Sequence, residues 1–408
     1  MAFSKLWVIA FRDLGRNRRR TLLSFLAVAL GLMLLMLLNG LIAGVMDDAL
    51  QNSIRLRTGH VQLRAKSYAE EKLSLQWKDL LTNVDDLTKR AQALPEVKAA
   101  APVLWAGAVL NTSDEAVGLQ LIGIDPTSAI YAPIQSTVVA GDFLTADDRG
   151  GVLLGKRLAD SLGLAVGQKV NVSIINADGQ LDEADFTIRG LFASGALSYD
   201  ESAILLPLAR AQAFTQTAGH ASALVLLLNQ QTDADKVAAA LQGPDTVALT
   251  WQSLNQVFLQ TMQTAMGFYT VLDGIVMLVV AVIIANTLLM AVFERIREMG
   301  ILAALGMKGR QIMQMFLFEA AILGLVGIAV GLVLGAAGVL WLARVGIPLS
   351  DAAASSTNIA LSGVMHAQFV PTTFAWLALW TLVITLLAAL YPAWFAARLE
   401  PVEALHGK

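Results

Sequence analysis

Four long apolar runs constrain this chain more than any other feature of its sequence. They cover residues 21–45, 268–292, 315–342 and 372–391. Each run is long enough for a helix to cross the hydrocarbon core of a bilayer, which takes about 20 residues. Only 15% of the residues are charged, whereas soluble domains carry roughly a quarter. The sequence therefore predicts a membrane protein with four transmembrane helices.

The stretch between the first two runs, residues 46–266, is polar enough to form a large extramembrane domain. The order strand–helix–strand occurs near its start and again near its end. Two such units around an insertion predict a split ferredoxin-like lobe at about 55–111 and 216–251. The insertion, residues 112–215, has the short strands and turns of a mostly β lobe. The predicted fold is thus transmembrane α-helical with an α+β extracytoplasmic domain.

Apolar positions at helical spacing continue beyond two of the runs. They extend the first run past Asp47 and Asp48, and they precede the second run from Leu254 to Ala265. These extensions predict a helical stalk that carries the extramembrane domain.

Lysine and arginine near the ends of the runs predict the orientation. Basic residues are frequent in residues 1–20 and in the loop 293–314, and they occur again in the tail 392–408; the loop 343–371 has only Arg344. We therefore expect both termini and the loop 293–314 on the cytoplasmic side, with residues 46–266 outside. Residues 1–20 are amphipathic and basic, which favours an elbow helix in the inner headgroup plane over a simple continuation of the first span.

The composition excludes several kinds of chemistry. Residues 47–265 contain 16 basic and 24 acidic residues, a net charge of −8, which argues against nucleic acid as a partner. The chain has no cysteine, and its four histidines are scattered without the spacing of metal ligands. The segment 150–157, GGVLLGKR, resembles a P-loop but has Arg157 where the magnesium-binding Ser or Thr would stand. We expect no catalytic residue, no directly bound cofactor and no metal.

The third run carries Gly327, Gly331 and Gly335 at four-residue spacing, which predicts close packing of another helix on this face. Asn39 and Asn286 are expected to bond to neighbouring helices. Glu319, near the inner end of the run, is expected to extend towards the headgroups.

The loop 293–314 has an ordered pattern of charge, apolar residues and charge. Its segment REMGILAALG can form about two turns of helix, with Gly306 as the C-terminal cap. A plain turn would need fewer residues. We therefore expect a small amphipathic helix that is presented to the cytoplasm for docking.

Three segments carry a resemblance to a known family. ERIREMGILAALGMKGRQIMQMFLFEA resembles the cytoplasmic loop of ABC transporter permeases of the MacB/FtsX/LolC-LolE kind. The start, AFRDLGRNRRRTLLSFLAVALG, and the end, YPAWFAARLEPVEALHG, resemble the corresponding parts of that family. MacB itself has a fused ATPase domain, which is absent from this chain, so the unfused lipoprotein-releasing branch is the better match.

The resemblance implies a mechanism without a pore. Two permease subunits, alike or different, would pair with a separate cytoplasmic ABC ATPase dimer, which would hold ATP and Mg. The coupling residues would be Glu298, Gly300, Ala304, Leu305 and Gly306. ATP binding would close the stalks and move the periplasmic domains of a multi-pass protein in the bacterial inner membrane.

The cargo implied by the resemblance is less specific. Extraction of lipoproteins or other amphiphiles from the membrane, in contact with membrane lipid and a lipoprotein chaperone, is favoured. Efflux of drugs or peptides with a periplasmic adaptor, regulation of cell-wall hydrolases, and a sensor or scaffold without transport are the alternatives.

Overall fold

The computed structural model describes residues 18–113, 115–349 and 362–398. The chain forms two compact units. The membrane unit contains the described residues up to 45, residues 261–347 and those from 365 onwards; the extramembrane unit contains residues 46–260 and the described part of 348–364.

The helices, numbered in chain order within the described residues, are α1 Arg18–Ser53, α2 Val84–Gln92, α3 Ala132–Gln135, α4 Lys156–Ser161, α5 Leu197–Ser202, α6 Leu208–Thr215, α7 Ala234–Leu241, α8 Trp251–Leu254, α9 Gln256–Glu294, α10 Ile296–Ala304, α11 Gly309–Val345 and α12 Pro371–Ala397. The strands are β1 Val61–Ala65, β2 Val97–Asn111, β3 Ala116–Ile124, β4 Val138–Gly141, β5 Gly151–Gly155, β6 Lys169–Ile175, β7 Leu181–Phe192, β8 Ala203–Pro207, β9 Ala223–Leu228, β10 Thr246–Thr250, β11 Ile347–Pro348 and β12 Val364–Met365.

Four of these helices, α1, α9, α11 and α12, are long and apolar enough to span a membrane. They contain the four predicted runs, so the prediction of four spans is confirmed. Helix α1 has 36 residues and continues as a π-helix over Ile54–Thr58. Helix α9 has 39 residues and begins well before its apolar run. Both helices are longer than the roughly 20 residues that cross a bilayer core, as the stalk prediction requires.

The glycine face of α11 packs against α1. A Cβ at Gly331 would lie 2.9 Å from the carbonyl oxygen of Ala29 and 3.1 Å from Cβ of Leu32. Gly327 and Gly335 meet α1 in the same way, at Val28 and Met36. The bare backbone of α11 therefore lets the two helices approach more closely than any side chain would allow.

Aromatic side chains mark both ends of α12. Trp376 and Trp380 are exposed near its start, and Tyr391 and Trp394 near its end. Trp376 and Trp394 are 18 positions apart, which is about 27 Å along a helix and close to the thickness of a bilayer core, about 30 Å. Since Trp and Tyr prefer the membrane–water interfaces, these residues position α12 across the bilayer.

A polar pair joins α1 to α9. The side-chain amide of Asn39 donates to Oδ1 and Oδ2 of Asp273, both at 3.0 Å. The expectation that Asn39 bonds to another helix is therefore confirmed. Asp273 was not anticipated as its acceptor.

The first lobe of the extramembrane unit is a four-stranded antiparallel sheet in the order β10-β1-β9-β2. Two strand–helix–strand units, β1-α2-β2 and β9-α7-β10, supply it in the ferredoxin-like order. Ala91 of α2 and Val237 of α7 belong to the buried cluster that also contains Leu63 and Leu226 of the sheet. The split ferredoxin-like lobe predicted from the sequence is present.

The second lobe is a closed six-stranded β-barrel. Each strand pairs with the next in the circular order β2-β3-β8-β5-β7-β6, and β6 pairs back onto β2. Its interior is apolar: Leu104, Leu121, Val172, Phe186 and Ile204 are at most 1% exposed. The sequence predicts a mostly β lobe but does not predict that its sheet closes into a barrel.

Strand β2 belongs to both lobes. Residues 97–103 pair with β9 in the ferredoxin-like sheet, and residues 104–111 pair with β3 in the barrel. The lobes therefore meet inside β2, eight residues before the boundary expected at 111/112. A single continuous strand joins the two lobes directly.

Candidate functional site

Helix α10 follows α9 almost without a connection. Helix α9 ends at Glu294, and Arg295 (φ −116°, ψ 14°) departs from helical geometry before α10 begins at Ile296. The backbone N–H of Met299 donates to the carbonyl of Arg295 at 3.0 Å, which closes the first turn of the new helix. Arg295 alone therefore separates the two helices.

Gly306 ends α10. It has φ +92°, a conformation that glycine adopts without steric penalty. Its N–H donates to the carbonyl of Ala303, and the N–H of Met307 donates to the carbonyl of Leu302, both at 3.0 Å. This pair of hydrogen bonds is a Schellman motif. The C-terminal cap predicted at Gly306 is confirmed.

One side of α10 is fixed to the ends of the spans. Met299, only 2% exposed, packs in a cluster with Val292 of α9, Phe316 of α11 and Ala396 of α12. The backbone also approaches closely here, because a Cβ at Gly309 would lie 2.5 Å from the carbonyl oxygen of Ala397. Helix α10 is thus packed against the ends of three spans.

The other side of α10 is free of the membrane unit. Leu305 is 80% exposed and Ile301 47% exposed, and residues four apart lie on the same face of a helix. The side chains of Arg297, Lys308 and Arg310 are exposed around them. We call Ile301 and Leu305 the apolar tip and the three basic residues its rim. An apolar tip inside a charged rim has the composition of a protein-binding surface.

The structure places the five predicted coupling residues in different environments. Ala304, Leu305 and Gly306 are exposed at the tip, and Glu298 is half-buried. Gly300 is buried in the side of α10 that packs on the spans. Because Gly300 is buried, any part that it has in coupling would act through the packing of α10, and its coupling role stays a prediction. Ile301 and the basic rim were not among the predicted residues, although the sequence shows Ile301 and Leu305 as apolar residues four positions apart, with basic residues before and after them.

Glu319 does not extend to the headgroups, so that expectation is wrong. It is 2% exposed, and Phe316 and Ala320 beside it on α11 are fully buried. This face of α11 packs inward, so a side chain on it cannot reach water by extending. Arg295, at 4% exposure, is also buried in the membrane unit.

The sequence resembling a P-loop forms no phosphate site. Gly155 ends β5, and α4 begins at Lys156. The carbonyl oxygen of Asp200 occupies the space beside Gly155, and Nζ of Lys156 forms an ion pair with Asp160 at 2.8 Å. Among the residues that the structure describes, no three His, Asp or Glu side chains form a cluster that could hold a metal.

The barrel has an open groove on its outer surface. Two glycines on neighbouring strands, Gly107 and Gly118, line it with nothing within 4 Å of their missing side chains. Ile175 and Leu181, 58% and 62% exposed, also line it and face each other at the end of the β6–β7 hairpin. This surface could receive an apolar or amphipathic molecule.

The chain thus combines four helices that can span a membrane, the short helix α10 packed against the ends of three of them, and an α+β domain between the first two spans. Residues 21–243 match the MacB-like periplasmic core domain, and residues 271–401 match the FtsX-like permease C-terminal. The chain therefore belongs to the ABC transporter permeases of the MacB/FtsX/LolC-LolE family, and the resemblance found in the sequence is confirmed.

Similar proteins within this family span nearly the whole chain. The lipoprotein-releasing system transmembrane protein LolC of Neisseria meningitidis is 24% identical over 97% of this chain and 98% of its own length. LolE of Haemophilus influenzae is 25% identical over 93% of both chains. The macrolide export ATP-binding/permease protein MacB of Bordetella avium is 23% identical over 97% of this chain but only 59% of its own.

Proposed function

We propose that this chain is the permease subunit through which a separate ABC ATPase does mechanical work on the opposite side of the membrane. The apolar tip of α10 would seat in a groove of the ATPase, and the basic rim would meet acidic side chains around it. The observation that carries this proposal is the two-sided environment of α10. Leu305 is almost fully exposed, while Met299, on the same short helix, is buried against three spans.

The energy would come from ATP and Mg held by the partner. A second permease subunit, identical or different, would complete the membrane part of the transporter. Both chain termini and α10 would lie in the cytoplasm, and the extramembrane unit in the periplasm. This orientation rests on the basic residues that surround α10.

We propose that the cargo is a lipoprotein or a related amphiphile released from the inner membrane. Several relatives that match this chain from end to end are named for lipoprotein release, which supports this cargo. The exposed apolar residues of the barrel groove, Ile175 and Leu181, offer a surface for an amphiphile or for the chaperone that receives it. Efflux of a small molecule is the second candidate, supported by the similarity to MacB.

A reconstituted system tests the cargo. The tagged permease would be purified together with the ATPase that accompanies it and placed in vesicles that contain a fluorescent acylated lipoprotein. ATP should release the lipoprotein to a soluble acceptor, and vanadate should prevent the release. Transport of a macrolide without release of lipoprotein would favour efflux. ATP turnover with neither outcome would contradict both cargoes.

A further inference from the structure

The described residues just before α12, which include β12, form a segment that is anchored at both ends. We call residues 362–370 the strap. Its end nearer α12 belongs to the membrane unit, and its start, Ser362–Val364, belongs to the extramembrane unit. The strap is therefore a stretch of chain, besides those of α1 and α9, that runs from one unit to the other.

The first anchor holds the strap on α1. The N–H of Gln368 donates to the carbonyl of Gly40 at 2.8 Å. A Cβ on Gly44 would collide with the carbonyl oxygen of His366 and would lie 2.9 Å from the N of Gln368. Ala367 between them is buried in the core of the membrane unit. Two glycines one turn apart on α1 thus admit the strap backbone itself.

The second anchor holds the strap on the extramembrane unit. Ser362 forms an antiparallel bridge with Ala196, in the loop after β7. The N–H of Gly363 donates to the carbonyl of Gly195 at 3.3 Å. The side-chain amide of Asn52, buried at the end of α1, donates to Oγ of Ser362 at 3.0 Å.

The loop that receives the strap is itself held firmly. Oδ1 of Asp200, which is 3% exposed, accepts hydrogen bonds from Oγ of Ser194 at 2.6 Å and from its backbone N–H at 3.0 Å. Arg55 donates to the carbonyl of Ser194 at 3.2 Å. A buried carboxylate that accepts two hydrogen bonds from one loop residue holds that loop in place.

The far end of α12 belongs to the cluster that fixes α10. Ala393 and Ala396 of α12 pack there with Met299. Helix α12 is 27 residues long, and its start at Pro371 follows the strap directly. Helix α12 thus packs in the α10 cluster at one end and continues from the strap at the other.

From these contacts we propose that the strap is a load-bearing tie. It stays attached at both anchors and carries displacement of α12 to the barrel, in addition to the route through the stalk helices. This role rests on the proposed function, because the displacement originates in the partner ATPase.

An insertion that adds slack tests the tie. Gly-Ser-Gly-Ser would be inserted between Met365 and His366, which leaves both anchors intact. The same insertion in the exposed turn at Gly219 is the control. In the complex with its ATPase, the strap insertion should reduce ATP-driven release of lipoprotein by about five-fold or more, the lower end of typical coupling between sites. ATPase stimulation and membrane insertion should be unchanged. Release at the unmodified rate would overturn the tie.

A disulfide across the second anchor gives an independent test. Opposite residues of an antiparallel pair lie close enough for a disulfide, and the chain has no other cysteine. Oxidised Ala196→Cys/Ser362→Cys protein should release lipoprotein as the reduced protein does, because a tie never opens. A block that reductant reverses would show that the segment must detach, which contradicts the proposal. If the insertion variant also loses ATPase stimulation, its loss of release does not test the strap, and the disulfide experiment alone then decides whether the strap stays attached.

Failure of the proposed function has a different signature. It would appear as absence of ATP-driven release in the unmodified chain. The tie would then be tested without cargo, from the ATP-dependent distance between spin labels at Glu183→Cys of the barrel in the two subunits. If ATP changes the distance between the spin labels equally with and without the Gly-Ser-Gly-Ser insertion, the proposed tie is wrong.

Discussion

Leu305 and Gly306 are neighbours with separate roles at the end of α10. Gly306 supplies the left-handed backbone that stops the helix, and Leu305 is left almost fully exposed. The cap could be predicted because the glycine follows an apolar helical repeat. The burial of Gly300 and Glu319 could not, because it depends on which faces of α10 and α11 pack inward.

Replacement of Leu305 tests the apolar tip. Leu305→Asp should reduce stimulation of the partner ATPase by about tenfold or more, since a charge in the centre of an interface is strongly unfavourable. Membrane insertion should be unchanged, because the side chain is exposed. Val166→Asp, an exposed apolar position of the extramembrane unit, is the matched control. Normal stimulation in Leu305→Asp would contradict docking through this residue.

His60 predicts a dependence of stability on pH. Burial lowers the pKa of its imidazole, and Nδ1 accepts a hydrogen bond from the N–H of Leu228 at 3.0 Å. The folded state therefore resists protonation. Neutral His60 contributes fully to the stability of the fold above the usual histidine pKa of about 6.5. This contribution is lost as the pH falls below that value. The melting temperature between pH 7.5 and 5 should fall more steeply than in His60→Gln, which cannot titrate. Parallel curves for both proteins would refute this assignment.

Helices and strands show where local pattern suffices and where it does not. Four-residue glycine spacing indicated a packing face on α11, but the pattern could not show that α1 covers it. Strand β2 was predicted as the second strand of the first strand–helix–strand unit. Its exchange of partners between Val103 and Leu104 depends on pairing with β9 and β3, which are distant in sequence.

The close approach of α1 and α11 can be measured through Gly331. Gly331→Leu should destabilise the protein by about 3 kcal/mol, because overpacking forces the helices apart. Gly274→Leu is the matched control, since nothing lies within 4 Å of the corresponding Cβ on α9. Thermal unfolding in detergent gives the comparison. Equal melting temperatures for the two variants would mean that the α1–α11 contact is not tight.

At the scale of the whole molecule, the four spans and the two lobes follow from the sequence because each rests on a strong local pattern. Closure of the barrel does not, since it requires β6 to return to β2 about 60 residues away. The strap could not be predicted from the sequence either, because most of its anchoring contacts are made by backbone atoms, which every residue type has.

The orientation can be tested by labelling single cysteines in intact cells. A membrane-impermeant maleimide should react with Glu183→Cys of the barrel once the outer membrane is permeabilised. Lys308→Cys beside α10 should react only after lysis. Both residues are exposed, so labelling depends only on which side of the membrane the reagent can reach. The reverse pattern would invert the proposed topology.

The central claim is that ATP turnover by a partner moves the stalks that carry the extramembrane unit. Leu50→Cys, on the extended part of α1, provides a single thiol in a chain without natural cysteine. The complete transporter would be treated with a short bifunctional crosslinker, with a cysteine at the matching position if the second subunit differs. Crosslinking between the two stalks should increase when ATP and vanadate trap the closed state. The same yield with and without nucleotide would contradict the account.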